Sequence, residues 1–419
     1  MRLTPALAAA AALFHVPEVT AHVSIPQALN EAFVAEKPDY ECKLAAPSFN
    51  SMSEGFGPRT AFASSTGPLR AAMVFVDFPD APATDTPGSL LQAFMPAAAD
   101  WYNASSYGRL HLTVAADTRK FYRMPRPSAE YSWNRAGFTS QKQERYIKDA
   151  IAAIGAEFKP GPTDVLYIVP TRQAARIGFS PTSLTPMALA DGTRVKGTVT
   201  FGQDLWTAWG FKVLNHETGH VMGLPDLYPM DGRATGLWVG GFDIMGLISG
   251  SSPDYLGWHK WKLGWVDNAQ VSCAKEGESE HVLTPVEVAG GTKMAVVKVS
   301  DSVAVVAEVR TDAGLNHGSC SKGLLVYVVD ASKWTGNGPI VVQSGKAGTV
   351  RGCAPSKGGP LTSAAFDFAA KEAMVDVKKY GVTITTTAVE GANYRIKIKY
   401  APVAGGRPKP AGGFLGFGG

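Results

Sequence analysis

The segment Asn215-His216-Glu217-Thr218-Gly219-His220-Val221-Met222-Gly223-Leu224-Pro225-Asp226-Leu227-Tyr228 constrains the fold more than any other stretch of the chain. Residues four apart share a face on an α-helix, so His216 and His220 can both turn an imidazole nitrogen toward one metal ion. Glu217 follows the first histidine too closely to compete well as a ligand on that face. It can reach a water at the metal, which makes it the candidate general base. Gly223 can take the left-handed conformation that ends a helix, and Pro225 prevents its resumption. The chain then turns back and carries Asp226 toward the same ion as a third, oxygen ligand. A fourth position stays open, as a catalytic zinc site requires. Asp243 is the first substitute for Asp226 as third ligand.

The stretches around this segment set the expected architecture. Arg70 to Asp77 is a nearly continuous apolar run stopped by Phe78-Pro79-Asp80, the pattern of a strand buried on both faces. Ser89 to Tyr107 reads as a helix, as does Gln141 to Phe158, and Val165 to Val169 is a second buried strand, so strands and helices alternate in one layer. After a helix at Trp258 to Leu263 the character changes. Met294 to Val299, Ser302 to Val309, Gly323 to Val329, Gly381 to Thr387 and Tyr394 to Tyr400 are short Val-rich strands between turn residues, the signature of an all-β unit. A chain of 419 residues is long enough for two folded units. With 45% hydrophobic and 18% charged residues it is not a disordered, collagen-like or coiled-coil protein. Forty Lys plus Arg against 36 Asp plus Glu, scattered evenly, give no basis for nucleic acid or an anionic membrane as partner.

Met1-Arg2, the Ala-rich apolar run Leu3 to Phe14 and the small residues before His22 read as a signal peptide over residues 1–21, which directs the protein out of the cell. That run is too short to span a bilayer, and no later stretch is long and apolar enough, so no membrane anchor is expected. Residues 22–66, rich in Pro, Ser, Glu and Ala, read as a pro-segment or N-terminal arm, and residues 401–419 as a Gly/Pro-rich tail. Four cysteines in an oxidising compartment point to two disulfides with three possible pairings. Cys320 with Cys353 and Cys42 with Cys273 is one of the three. Cys42 has a second reading, as a thiolate that fills the open zinc position and silences a zymogen. Asn103-Ala104-Ser105 is a glycosylation sequon that matters only in a glycosylating source.

The motif around His216 resembles the signature of the immune inhibitor A-like family of secreted metallopeptidases, which group with the metzincin-like zincins. Met73 to Asp80, Tyr102 to Arg109, Phe242 to Gly246, Leu256 to Trp265 and Gly323 to Tyr327 also look like family blocks, so the likeness covers about residues 68–330. It implies an α+β fold: a zincin domain over residues 67–267, with a mixed sheet and the active-site helix, followed by a sandwich-like β domain over 268–400. It implies a zinc endopeptidase in which His216, His220 and Asp226 bind zinc and Glu217 is catalytic. Met245 is then the methionine of the turn beneath the metal. No tyrosine stands two residues after it, so Tyr228 and Tyr255 become the candidates to stabilise the oxyanion. Calcium is a further expected ion, with Asp77, Asp80, Asp226 and Asp231 as possible ligands, although no calcium-loop spacing is present.

His259, set among aromatics, reads as packing beneath the site rather than as a ligand. His22, the new N-terminus after cleavage, would suit copper, which nothing else supports. The expected function is hydrolysis of extracellular proteins or peptides by a monomeric secreted enzyme, with cleft loops between Arg172 and Thr200 setting specificity. The alternative is a catalytically silent secreted binding protein that keeps the fold. The intact Glu217 argues against it.

Overall fold

The apolar run of Gly67–Asp77 forms the penultimate strand of the larger sheet, between the strands Leu110–Ala116 and Val165–Pro170. The computed structural model describes residues 23–24, 39–48, 52–134, 137–250, 252–319, 321–344, 361, 363–370 and 373–403. Residues 1–21, expected to be a signal peptide, His22, the expected tail from residue 404, and Cys320 and Cys353 lie outside the described residues. The architecture is mixed α+β, rich in sheet with few helices.

Seven strands make the N-terminal sheet: β1 (Val23–Ser24), β2 (Gly67–Asp77), β3 (Leu110–Ala116), β4 (Tyr122–Arg123), β5 (Val165–Pro170), β6 (Thr182–Ser183) and β9 (Gly197–Thr200). Between the last two, β7 (Met187–Ala188) and β8 (Arg194–Val195) form a separate hairpin. The order is β1-β6-β9-β5-β2-β3, with β4 also on β2. β2 pairs in parallel with β3 and β5, and β5 with β9, whereas β6 runs antiparallel to β9.

Side chains alternate across a strand, and β2 uses both faces. Leu69, Ala71, Met73 and Phe75 pack in one cluster with Val213, Leu214 and Val221 of the helix Gly210–Val221. Ala72, Val74 and Val76 pack in another with Tyr146, Ile147 and Ala150 of the helix Ser140–Ile154. Each fully buried large aliphatic or aromatic side chain contributes roughly 1.5–3 kcal/mol, so this strand anchors both layers. The single helix expected over Ser89 to Tyr107 is instead two, Pro87–Leu91 and Ala97–Ser105. Pro96 lacks the N–H that a continuous helix needs there. Asn103 is exposed on the second of these, while the Ser105 hydroxyl is buried on Asp254.

In the C-terminal half, β10 (Val271–Ala274), β12 (Met294–Lys298), β13 (Val303–Arg310), β14 (Gly323–Asp330) and β15 (Ile340–Gln343) form one sheet, while β11 (Gly277–Leu283), β16 (Met374–Val377), β17 (Val382–Glu390) and β18 (Asn393–Tyr400) form another. Ala295, Val297, Val303, Val305 and Ala307 face Val382, Ile384, Ile396 and Ile398 in a shared cluster. The alternate residues Met294, Val296, Ala304, Val306, Leu325 and Tyr327 belong to the same cluster as the helix Gly210–Val221. The five-stranded sheet is therefore buried on both faces, and one of them closes the core of the N-terminal half.

A buried charge pair crosses that junction. Glu308 binds Arg310 (2.6 Å) and accepts from the Gly257 N–H at the start of the helix Gly257–Lys262, while Arg310 donates to the carbonyls of Phe242 and Tyr255.

The described part of the stretch 22–66 packs as an arm. Cys42 is joined to Cys273, which excludes the zymogen-thiolate reading of Cys42. Leu44 and Met52 are fully buried, Phe56 lies edge-on to Trp258 and Trp261, and Lys262 donates to the carbonyls of Ser53 and Gly55. Further along, the Ala63 N–H donates to Val221 O and Arg59 to Met222 O, both at the C-terminal end of the histidine-bearing helix.

Candidate metal centre

The histidine helix ends where its sequence requires. Gly223 has φ +88°, a left-handed value, and the Leu224 N–H closes the turn on Gly219 O at 3.0 Å. The reversal brings Asp226 back over the helix. Its Oδ1 lies 3.2 Å from His216 Nε2 and 3.1 Å from His220 Nε2, and all three side chains are fully buried.

The other imidazole nitrogens are committed. His216 Nδ1 is 2.6 Å from Ile244 O and His220 Nδ1 is 2.7 Å from Leu224 O. A carbonyl only accepts, so each Nδ1 carries the proton and each Nε2 presents a lone pair. His216 Nε2, His220 Nε2 and Asp226 Oδ1 have no hydrogen-bond partner. Three electron-rich atoms brought together in a dry pocket repel one another unless a cation lies among them. Among the described residues these three form the one group of metal-ligating side chains with atoms within 4.8 Å of one another. A tetrahedral ion with bonds of about 2.0–2.2 Å spaces its ligands roughly 3.3–3.6 Å apart, and the two Asp226–histidine distances fall within a few tenths of an ångström of that spacing. Burial raises the Asp226 carboxyl pKa, and positive charge on the His220 and His216 side lowers it by more; with both imidazoles neutral, that positive charge has to come from a bound cation.

Glu217 is fully buried beside this group. Its Oε2 accepts from the Thr182 hydroxyl of β6 at 2.7 Å, and its Oε1 has no partner. Burial pushes its pKa well above the ordinary glutamate value, against the pull of that hydroxyl and with help from the nearby Asp226 and Asp204. A carboxylate with raised proton affinity and one free oxygen is suited to take up and release a proton. β1 pairs in parallel with β6 at this edge, Val23 opposite Thr182.

Met245 sits under the helix. A Cβ at Gly219 would lie 2.7 Å from Met245 Sδ and 2.8 Å from the Tyr255 hydroxyl, so only glycine admits this approach. The turn Asp243–Gly246 also supplies Ile244 O to His216, and Met245 O accepts from the Leu227 N–H next to Asp226. Of the two tyrosines, Tyr228 lies nearly parallel to the His216 ring at 6.2 Å, whereas the Tyr255 hydroxyl points into the core toward Asn215 O at 3.4 Å.

Asp243, the substitute ligand, is placed elsewhere. One oxygen accepts from the Met245 N–H, and the other accepts from the Leu256 N–H and lies 2.7 Å from His259 Nδ1. His259 Nε2 meets Glu54 at 3.0 Å. Burial opposes a charge on this imidazole, but Asp243 and Glu54 raise its pKa to about 10. The imidazole lies between two carboxylates and apart from the His216–His220–Asp226 group. Of the acids considered for calcium, Asp77 binds Arg123, Asp80 accepts from Ser128 and Ala129, and Asp231 binds Arg233. Apart from Asp226 they do not converge.

Thr182, Glu54 and Thr335, whose hydroxyl accepts from the Asp226 N–H, were not singled out in the sequence. They act across 35, 205 and 109 residues, and no local spacing reveals such pairs. No family model matches the sequence, and no curated protein matches it.

Proposed function

We propose that the protein is a secreted, zinc-dependent endopeptidase of the immune inhibitor A-like kind, built as a zincin-type domain joined to a sandwich-like β domain. The observation that carries this reading is the convergence of His216 Nε2, His220 Nε2 and Asp226 Oδ1, all without partners, beside the free oxygen of Glu217. A bound zinc ion would supply Lewis acidity, lowering the pKa of a water and polarising the substrate carbonyl. The chain's own groups do the rest. Glu217 Oε1 takes a proton from the attacking water and passes it to the leaving amine, while Thr182 holds Oε2 and leaves Oε1 without a partner. Ile244 O and Leu224 O orient the two imidazoles. Among the described residues no helix is long and apolar enough to cross a membrane.

The test compares metal content and casein cleavage for the processed wild type and Glu217→Ala. About one zinc in both and cleavage by the wild type alone is the expected result. Zinc without cleavage under any processing regime supports the silent binding protein instead.

A further inference from the structure

Asp226 is held by the C-terminal half of the chain. Its N–H donates to Thr335 Oγ1 at 2.8 Å, the same hydroxyl lies 3.4 Å from Asp226 Oδ2, and the Gly336 N–H donates to Asp226 O at 3.0 Å. Thr335 and Gly336 lie in the loop 331–339 between β14 and β15, more than a hundred residues after the ligand they touch. The loop and the strand β15 that follows it each meet the segment after Asp226 at one further point. Gly336, at φ +72°, leaves no room for a Cβ beneath Met230, whose Cγ would be 2.5 Å away, and the Val342 N–H donates to Trp238 O at 2.7 Å.

The two oxygens of Asp226 are thereby made unequal. Oδ2 faces the Thr335 hydroxyl, while Oδ1 faces both histidines and has no hydrogen-bond partner. A hydroxyl has one proton. Because Thr335 Oγ1 already accepts from the Asp226 N–H, its own proton is available for Oδ2, so one side chain fixes both backbone and carboxylate. We propose that Thr335 is a positioning residue that presents Asp226 to the metal through Oδ1, and that the β14–β15 loop thereby sets the metal affinity of the centre. The inference rests on the metal-site reading above and adds to it a contribution from outside the N-terminal half. Partners that orient a metal ligand in this way typically alter affinity 10–100-fold when removed.

The experiment measures the zinc dissociation constant by competition with a chromophoric chelator for the wild-type full chain and for Thr335→Val, Thr335→Ala and Thr335→Ser. Valine keeps the shape without the hydroxyl, alanine removes both, and serine restores the hydroxyl. Val and Ala are expected to weaken zinc about 10–100-fold and Ser to stay near wild type, with unchanged thermal midpoints for the zinc-free proteins. A purely structural Thr335 would lower the zinc-free midpoint and leave the affinity unmoved. Wild-type zinc binding that Val and Ala retain in full overturns this inference alone. A wild type that binds no zinc overturns the metal-site reading and this inference together.

Discussion

Replacing Glu54 by alanine should destabilise the protein far more than its place in an N-terminal arm suggests. Glu54, His259 and Asp243 are all fully buried, with contacts of 3.0 and 2.7 Å on the two sides of the imidazole. Removing one partner from a buried ion pair typically costs about 3–5 kcal/mol, because the charge left behind has neither water nor counter-ion, whereas an exposed pair such as Lys43–Asp39 is worth about 0–1. Against a total stability of about 5–15 kcal/mol for a typical domain, that is a large fraction. The pH dependence identifies the cause. His259 has a raised folded-state pKa, so its contribution is fully present below about pH 6.5, the unfolded value, and is lost as pH rises through about 10. Urea unfolding of wild type and Glu54→Ala at a series of pH values should show a gap of about 3–5 kcal/mol at pH 6 that narrows toward pH 10. A gap below about 1 kcal/mol, or one constant across that range, would refute the imidazolium bridge.

Three other outcomes follow from the packing. Gly219→Ala should gain up to about 1 kcal/mol in helix propensity but lose about 1–3 to the overlap with Met245 and Tyr255, giving a net loss of stability and weaker zinc, measured by thermal melts and chelator competition; a stabilised variant with unchanged zinc affinity contradicts the close approach. Replacing Cys42 and Cys273 together by serine should cost about 2–5 kcal/mol in denaturant unfolding, since the bridge closes a separation of 231 residues; no change would mean that the arm is held without it. If the proposed peptidase is processed, its mature form should begin before Asp39, because Cys42, Leu44, Met52 and Glu54 are buried in the core, and N-terminal sequencing of the secreted species reads this directly; a start within 52–66 would show that the arm is dispensable.

The meeting of His216, His220 and Asp226 was readable because the segment that carries them is short. His216, Glu217, His220, Gly223 and Asp226 lie within eleven residues, and a helix with a sharp stop is enough to bring them together. The buried strands were readable as well, since Val-rich runs such as Val303–Arg310 have few other ways to fold. What that run does not announce is its second partner. Its near-continuous apolarity signals burial on both faces, but only the structure shows that one face closes the core that also packs the helix Gly210–Val221. The helix expected across Ser89 to Tyr107 failed at Pro96, a local signal outweighed by the apolar pattern around it. The short strands Val271–Ala274, Ile340–Gln343 and Met374–Val377 lack enough residues to display a period. The polar partners were illegible for a different reason. Glu54 with His259, Thr182 with Glu217 and Thr335 with Asp226 pair groups brought together only by the finished topology, and a hydrogen bond leaves no spacing in the sequence.

The most direct test of the metal centre is X-ray absorption at the zinc edge on the purified full chain. A site built from His216, His220 and Asp226 predicts a first shell of nitrogen and oxygen at about 2.0–2.2 Å with two imidazoles, one of which disappears in His220→Ala. A sulfur shell, a spectrum unchanged in His220→Ala, or a protein that takes up no zinc would contradict it.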